Sequence, residues 1–210
     1  MKSVNPGGAF RLGSAWTPLP EPAAWFSILP TGVPRRSLTT GNAAFWRPHL
    51  AAGLGRTPDD VRIEAPTGQP PSCRVDGVDR PMSYATTDGW RACAISMSSR
   101  IGIDIEMPRE FPELSAMFER AGAPASFLDA ASGFGWTPAV TFARLWTAKE
   151  AVLKAEGVGL QTDPRRVEIR PDSETAASGR FGQQGWTLRW AVSDEAIVAI
   201  ALPAKRQSTA

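Results

Sequence analysis

A pattern that occurs twice constrains the fold of this chain most strongly. Its members keep a constant separation: Pro58, Val61, Ile63, Ala85 and Asp88 correspond to Pro164, Val167, Ile169, Ala191 and Asp194. In each half the pattern follows a helical segment that ends in glycine and precedes segments with strand character. A repeated order of elements indicates a repeated unit. The sequence therefore predicts an α+β fold of two pseudo-symmetric halves, at residues 1–100 and 101–210, with a cleft between them; chance matching of common strand residues is the alternative.

Periodicity and capping signals assign the elements along the chain. Thr39 and Thr40 are candidate caps for a first-half helix that runs to about Leu54, and Ala139–Glu156 is the clearest helix. The predicted strands are Val61–Ile63, Trp90–Ile95, Ile101–Glu106, Val167–Ile169, Trp186–Val192 and Ala196–Leu202. The segments expected to be irregular are Met1–Pro34, Ala65–Pro71 and Met107–Pro138.

The composition is that of an ordinary globular protein. Hydrophobic residues make up 42% of the 210 residues and charged residues 21%, and the net charge is +2. This near balance gives no reason to expect a nucleic-acid partner, and no apolar stretch reaches the roughly 20 residues of a membrane span. The two cysteines, Cys73 and Cys93, lack metal-site spacing, and the N-terminal residues lack a signal-peptide pattern. We therefore expect a reduced, cytoplasmic protein without a membrane partner.

Asp104 and Glu106 form a pair of acids on the predicted strand Ile101–Glu106. Because side chains alternate across a strand, the three isoleucines share one face, which we expect in the core. The two acids share the other face, about 6–7 Å apart. Like charges on an ordered strand repel unless a cation lies between them, and oxygen ligands at this reach suit Mg²⁺. A solvent-facing strand with two hydrated acids is the alternative.

Trp146, Glu150 and Lys154 lie four residues apart on the predicted helix Ala139–Glu156, with Lys149 beside them. This spacing makes one slanting stripe along the helix. If Glu150 meets the two strand acids, it completes a metal site, and both lysines then face the phosphates that the metal holds. The alternative is a Glu150–Lys154 surface pair next to a core tryptophan.

These two stretches carry linked motifs. Ile101–Glu106 reads Ile-Gly-Ile-Asp-Ile-Glu, and Phe142–Lys154 contains Trp-Thr-Ala-Lys-Glu-Ala-Val-Leu-Lys, continued by Gly157–Leu160. They resemble the G-[IV]-D-[IV]-E and W-[ST]-x-K-E-[AS]-x-x-K motifs of 4′-phosphopantetheinyl transferases of the surfactin-synthetase-activating type. The resemblance extends more weakly from about Arg35 to Leu202. It implies two similar α+β halves in one chain, in agreement with the repeat, and a monomer as the simplest state.

The resemblance implies an activity and a set of roles. The chain would move the phosphopantetheine arm of coenzyme A onto a serine of an apo acyl or peptidyl carrier protein, releasing adenosine 3′,5′-bisphosphate. Three acids would hold Mg²⁺, or Mn²⁺, against the pyrophosphate: Asp104, Glu106 and Glu150. Glu150 would help to deprotonate the serine, and Lys154 would neutralise charge on the phosphates. Trp146 would shape the site, and Lys149 would contact phosphate or the neighbouring lobe.

The first half departs from the family pattern at two positions. The usual G-K-P is Gly68-Gln69-Pro70, without the phosphate-binding lysine, and the usual S-H-[ST] is Ser83-Tyr84-Ala85, without the histidine that contacts coenzyme A. Tyr84 can donate a hydrogen bond but carries no positive charge. Candidate replacements for the lost cations are Arg35, Arg36 and Arg47. The single histidine, His49, is expected to be structural or exposed.

The segment Met107–Pro138 is expected to border the cleft mouth, because it joins the strand acids to the helix that carries Glu150. We expect its phenylalanines to be exposed, with two basic residues among them: Phe111, Phe118, Phe127, Phe134, Arg109 and Arg120. Apolar anchors ringed by basic residues suit an acidic amphipathic helix of a carrier protein. The alternative is that the phenylalanines fill the core of the second half.

Two other functions are consistent with parts of the sequence. A degenerate, non-catalytic module that binds a carrier protein or coenzyme A would explain Gln69 and Tyr84, although the intact acidic set opposes it. A magnesium-dependent phosphohydrolase would need a separate water-activating cluster, and the sequence offers none. An active transferase is the leading hypothesis.

Overall fold

The computed structural model describes residues 16–19, 24–32, 35, 41–66, 69–192 and 195–205. Its strands are β1 Thr17–Leu19, β2 Ala24–Pro30, β3 Val61–Glu64, β4 Ser72–Val75, β5 Val78–Thr87, β6 Trp90–Ser96, β7 Gly102–Glu106, β8 Val167–Ser173, β9 Ala176–Phe181, β10 Gln184–Val192 and β11 Ile197–Pro203. Its α-helices are α1 Asn42–Gly53, α2 Leu114–Ala121, α3 Ala125–Gly133 and α4 Pro138–Glu156. Arg36, Thr39, Thr40, Gly68 and Asp194 lie outside the described residues.

The strands form two antiparallel sheets with the same internal order. The first sheet runs β1-β2-β6-β5-β4-β3 and the second β7-β11-β10-β9-β8. Apart from the extra β1, each strand of the first sheet has a counterpart in the second, and α1 corresponds to α4 in chain order. This arrangement confirms the predicted α+β fold. The boundary after residue 100 falls in the link between β6 and β7 and stays a prediction.

The sequence repeat corresponds to a repeated local structure. Pro58 and Pro164 each open a 3-10 turn, and Val61 and Val167 then begin β3 and β8. Both valines are buried, at 2% and 1% exposure, and both strands lie at the outer edge of their sheets. Proline suits the first position of such a turn because its φ is already fixed near the helical value.

Several elements differ from those expected. Met107–Pro138 is not irregular, since it contains α2 and α3. The two helices are short, with eight and nine residues, and Gly122 in the left-handed region, followed by Pro124, separates them. The first-half helix begins at Asn42 with Gly41 as its N-cap. Strands β1, β2, β4, β5 and β9 were not predicted. Local pattern alone indicates none of the five, and β2 lies in the Pro- and Gly-rich start of the chain.

Helix α4 confirms the clearest sequence prediction. The Thr137 hydroxyl accepts a hydrogen bond from the amide of Val140 at 3.3 Å, which caps the first turn. Gly157 ends the helix with φ of +76°, a conformation that favours glycine. The helix packs against β7 and β11 of its own sheet and against α2. Because α4 is enclosed by these elements, its buried residues lie around most of its circumference rather than on one narrow face.

Ile101, just before β7, and the two isoleucines of β7 form part of the core between the two sheets. Ile101, Ile103 and Ile105 are 3%, 0% and 1% exposed, as the alternation predicted. They cluster with apolar residues of both halves, among them Ala94 of β6 and Val198 of β11. The shared cluster holds β7, and the acids on its opposite face, at the junction of the halves. Among the described residues, no helix has the length and apolar character needed to cross a membrane.

Candidate active site

Gly102 lets β7 lie directly against α4. A Cβ atom built at position 102 would collide with the carbonyl oxygen of Ala151 and lie 2.8 Å from the amide nitrogen of Ala155. Only glycine leaves room for this approach. The contact brings the acids of β7 to the same level as Glu150, one residue before Ala151. The glycine of the first motif thus has a packing reason that the motif alone does not reveal.

Three carboxylates and one ammonium, here called the acidic cluster, lie at this contact: Asp104, Glu106, Glu150 and Lys154. Asp104 and Glu150 are only 6% and 7% exposed. The Lys154 Nζ lies 2.6 Å from Asp104 Oδ1 and donates to the Ile103 carbonyl at 3.3 Å. The structure therefore joins the strand pair to the helical stripe, and Lys154 pairs with an acid of β7 rather than with Glu150 on its own helix.

Burial and mutual repulsion make these carboxylates hard to ionise. Burial, and then the neighbouring Asp104, raise the pKa of Glu150 to about 7. The same two causes raise the pKa of Glu106 to about 7. Burial also raises the pKa of Asp104, while the Lys154 ammonium opposes the rise. Groups that resist ionisation in this way gain most from a further cation.

The oxygen donor atoms of the acidic cluster suit a hard cation, although its side chains do not form a complete metal-binding site. Asp104 Oδ2 is buried and has no hydrogen-bond partner. Across the described residues, no three Asp, Glu, His or Cys side chains converge in an arrangement that could hold a metal ion. Mg²⁺ commonly takes one or two carboxylates together with waters and substrate phosphates. The orphaned oxygen and the all-oxygen donor set therefore fit Mg²⁺, and the convergence of all three acids stays a prediction.

Thr87 joins the first half to this cluster. It lies at the end of β5, is 7% exposed, and donates a hydrogen bond to Glu106 Oε2 at 3.4 Å. The next residue, Asp88, accepts a hydrogen bond from the backbone amide of Arg35 at 2.9 Å and pairs with Arg109 at 2.8 Å. Sequence reasoning assigned no role to Thr87; its only signal was its place beside the repeated Asp88.

An apolar cavity of about 530 Å³ opens on one side of the cluster. Glu106 and Trp146 line it, and the Trp146 ring stacks on Phe142 with centroids 6.0 Å apart. Other lining residues are Met107, Phe111, Met117, Ala139, Ala143 and Pro164, with Arg35, Arg109 and Arg120 also present. The cavity has an apolar interior and charged residues of both signs around it, the three arginines together with Asp88 and Glu106.

A polar cavity of about 900 Å³ opens on the side of Lys154. It lies between the halves: Gln69, Pro70, Pro71, Ser83 and Tyr84 come from the first, and Lys154, Gly157, Val158, Gly159, Gln161 and Thr162 from the second. A Cβ atom at Gly157 would lie 2.7 Å from Pro70 Cγ, so glycine permits the close approach of the two walls. Gln161 and Thr162 were missed, although Gly157–Leu160, just before them, continues the second motif.

The residues predicted to bind coenzyme A do not all meet. Gln69 and Tyr84 line the polar cavity, and so does Ser83, whose hydroxyl also accepts a hydrogen bond from the Ile103 amide at 3.1 Å. Arg35 lines the apolar cavity instead. Arg47 is exposed on α1 and lines neither cavity, so it does not replace the missing cations there. Arg36 lies outside the described residues.

Lys149 has a different place from the one expected. Its side chain is buried, and its Nζ donates hydrogen bonds to the carbonyls of Pro164, at 3.0 Å, and Val167. Burial lowers the pKa of Lys149 to about 8. The ammonium thus ties α4 to the start of β8 within its own half, and the expected contact with phosphate or the other lobe is wrong for this structure. His49 packs against the rings of Phe45 and Trp46, as a structural residue would.

The phenylalanines of the 107–138 segment differ in exposure. Phe127 is fully buried, and Phe118 packs on Phe142, so neither is free as an anchor. Phe134 is partly buried and lies against Trp136. Phe111 is 39% exposed and borders the apolar cavity. The core alternative is therefore right for Phe127, and Phe111 is the most exposed of the four phenylalanines.

Residues 100–201 match the model of the 4′-phosphopantetheinyl transferase superfamily. This stretch contains the whole acidic cluster, together with Trp146 and Lys149. The chain is also similar to a protein of Synechocystis sp. that is provisionally named a 4′-phosphopantetheinyl transferase. The two are 27% identical over 151 residues, which is 71% of this chain and 61% of that relative's own length. Both matches are to phosphopantetheinyl transferases, and neither distinguishes the surfactin-synthetase-activating type.

Proposed function

We propose that this chain is a 4′-phosphopantetheinyl transferase. It transfers the 4′-phosphopantetheine group of coenzyme A to a serine of an apo acyl or peptidyl carrier protein and releases adenosine 3′,5′-bisphosphate. The observation that carries the proposal is the position of the acidic cluster, with Lys154 in it, between a polar and an apolar cavity. The family match over residues 100–201 supports the same activity.

The two cavities suit the two ends of coenzyme A. Its nucleotide end is polar, its pantetheine arm is long and largely apolar, and the pyrophosphate joins them. The polar cavity, on the side of Lys154, would receive the nucleotide, and the apolar cavity, lined by Trp146 and Phe142, would border the arm and the incoming carrier. The pyrophosphate would then lie at the acidic cluster, where charge compensation is needed.

Asp104, Glu106 and Glu150 would hold Mg²⁺, with Mn²⁺ as the alternative. When bound, the ion would neutralise charge on the pyrophosphate. The buried, unpartnered Asp104 Oδ2 is the donor atom with the clearest need of such a partner. Without a cation, three carboxylates within one buried cluster repel each other, and the single ammonium of Lys154 offsets only part of that charge.

The residues of the chain itself supply the rest of the reaction. Lys154 places its ammonium beside the attacked phosphate and the leaving group, where negative charge develops. Glu150 is the carboxylate that would act as general base toward the serine hydroxyl. The serine oxygen forms a bond to the β-phosphorus, and the bond from that phosphorus to the bridging oxygen breaks. The serine proton goes to Glu150, directly or through water, and the bridging oxygen leaves with the adenosine bisphosphate.

The carrier would dock at the mouth of the apolar cavity. Phe111 offers an exposed apolar contact there, and Arg109 and Arg120 lie around it. A serine at the start of an acidic helix would thereby come next to Glu106 and Glu150. Carrier proteins with acidic recognition helices fit this combination of one aromatic anchor and a basic rim.

A non-catalytic binding module remains the second candidate. It is favoured by the incomplete convergence of the three acids and by the neutral residues Gln69 and Tyr84 in the polar cavity. Such a module would bind coenzyme A or a carrier protein without transfer. The buried set of three mutually repelling carboxylates opposes it, since these charges are costly to keep without a bound cation.

Mass spectrometry of a carrier protein tests the proposal. An apo carrier is incubated with the protein, coenzyme A and Mg²⁺, and a gain of one phosphopantetheine is expected. Glu106→Ala and Glu150→Ala should each remove most of the transfer while the fold is kept, and EDTA should do the same to the unmodified chain. Asp129→Asn, at an exposed acid of α3, is the matched control. Binding of coenzyme A without any transfer, with a panel of carriers, would favour the binding module.

A further inference from the structure

The polar cavity contains almost no charge. Among its described lining residues, Lys154 alone is charged, and its ammonium is already paired with Asp104 at 2.6 Å. The other polar side chains in the lining are neutral: Gln69, Ser83, Tyr84, Gln161 and Thr162. A cavity lined by amides and hydroxyls can hydrogen-bond a sugar or the edge of a base. The cavity offers little positive charge to balance a further phosphate group in addition to the pyrophosphate.

Tyr84 stays neutral in this setting. Burial raises the pKa of its hydroxyl above the ordinary value, so at neutral pH it is an uncharged phenol that donates or accepts one hydrogen bond. Its ring packs against the core of the first half, which fixes its position. Ser83 is 3% exposed, and its oxygen already accepts from the Ile103 amide. Neither residue can replace a cation.

The described arginines near the site lie elsewhere. Arg35 and Arg109 line the apolar cavity, and the Asp88 carboxylate holds both, through the Arg35 backbone amide and the Arg109 guanidinium. Arg47 lines neither cavity. Because hydrogen bonds from a cation to a phosphate are roughly twice as strong as those from neutral donors, the neutral wall of the polar cavity adds little affinity for an extra phosphate on the nucleotide end.

We propose that the polar cavity recognises an adenosine end without requiring its 3′-phosphate, so that 3′-dephospho-coenzyme A serves as donor about as well as coenzyme A. This rests on the proposed function and names its donor class. The reaction balances in the same way: the serine oxygen takes the β-phosphorus, and the bridging oxygen leaves with adenosine 5′-monophosphate. With coenzyme A, the leaving group is adenosine 3′,5′-bisphosphate.

The test compares the two donors under identical conditions. Transfer to an apo carrier is followed by mass spectrometry, and the nucleotide product is identified by chromatography. We expect kcat/KM for coenzyme A to exceed that for 3′-dephospho-coenzyme A by less than about tenfold, since a charge-assisted phosphate contact would separate them by more. A preference for coenzyme A greater than about tenfold would overturn the proposal.

A variant that adds a positive charge to the polar cavity tests the same assignment by the opposite change. Gln69→Lys adds a cation to the wall, and it should raise the preference for coenzyme A over the dephospho donor by about tenfold or more. Gln183→Lys, in the exposed turn between β9 and β10 and outside both cavities, is the matched control and should leave the ratio unchanged. An unchanged ratio in Gln69→Lys would show that this wall does not face the adenosine end, and the assignment would fail.

Failure of this inference is distinct from failure of the proposed function. Transfer from coenzyme A alone would overturn the donor assignment and leave the transferase intact. Transfer from neither donor, with Mg²⁺ and several apo carriers present, would reject the transferase itself. Comparable transfer from both donors supports both proposals.

Discussion

The Lys154 ammonium lies 2.6 Å from Asp104 Oδ1, at the contact between α4 and β7. The Asp104 side chain is 9% exposed and that of Lys154 is 27% exposed, so water screens the pair only in part. The other oxygen of Asp104 has no partner, and the Asp104 charge repels the carboxylates of Glu106 and Glu150. Lys154 is therefore the counter-charge that allows three acids to stay together in the metal-free protein.

Replacing Lys154 by methionine should destabilise the metal-free protein. Removing one partner leaves Asp104 as a buried charge without compensation, and the partial exposure of Lys154 moderates the loss to about 2–3 kcal/mol in the free energy of unfolding. The measurement is urea unfolding in EDTA at neutral pH. Lys154→Arg keeps the charge and should recover most of the stability. Equal stability of Lys154→Met and the unmodified chain would show that the pair contributes little.

The metal-free protein should lose stability as the pH rises toward neutrality. Glu106 and Glu150 have pKa values of about 7 in the folded chain, against 4.5 for an ordinary glutamate. Because the folded pKa values are raised, the stabilising contribution is complete below about pH 4.5 and is lost as the pH rises through about 7. Unfolding in EDTA between about pH 5 and pH 8 measures this slope. Glu150→Gln should flatten it, and Asp129→Asn should not; a slope unaffected by Glu150→Gln would contradict the assignment.

Substituting Gly102 by alanine should disturb both the fold and the site. The new methyl group would meet the Ala151 carbonyl and the Ala155 amide, and backbone cannot move as a flexible side chain does. We expect a loss of at least about 1–3 kcal/mol in the free energy of unfolding, from overpacking, and a fall in transfer activity as β7 moves away from α4.

Gly133→Ala provides the matched comparison for this prediction. Gly133 is the last residue of α3, and a Cβ atom there meets nothing within 4 Å. Alanine should leave stability unchanged or raise it by about 0.5–1 kcal/mol, because it restricts the unfolded chain. Thermal unfolding of both variants separates the packing effect from the general effect of removing a glycine. A stable, active Gly102→Ala protein would mean that β7 and α4 tolerate a wider spacing.

Carrier recognition should depend on the basic rim of the apolar cavity. We expect Arg109→Glu and Arg120→Glu to raise the KM for the carrier and to leave the KM for coenzyme A nearly unchanged, since both arginines line the apolar cavity only. The effect should weaken at high salt, because exposed charges are screened within about 8–10 Å. Arg62→Glu, on the exposed face of β3, is the control. Carrier kinetics that neither variant nor salt changes would place the docking surface elsewhere.

The sequence by itself determined the parts of the protein that depend on local pattern. Period and capping identified α4, between its caps Thr137 and Gly157, and alternation assigned Ile101, Ile103 and Ile105 to the core. The repeat indicated two similar halves. These predictions are right because a helical or alternating period follows directly from backbone geometry and needs no knowledge of neighbours.

Only the tertiary structure decided which distant side chains meet. Local pattern could not show that Lys154 pairs with Asp104 across two elements, that Lys149 turns to the Pro164 and Val167 carbonyls, or that Phe127 is core. It also missed α2 and α3, which span only eight and nine residues within a segment rich in Pro and Gly. Contacts of this kind depend on the packing of strands and helices that are distant from each other in the sequence. Their interaction energies belong to pairs of residues rather than to single residues. For that reason local pattern marked the candidate residues, and packing determined which of them lie together.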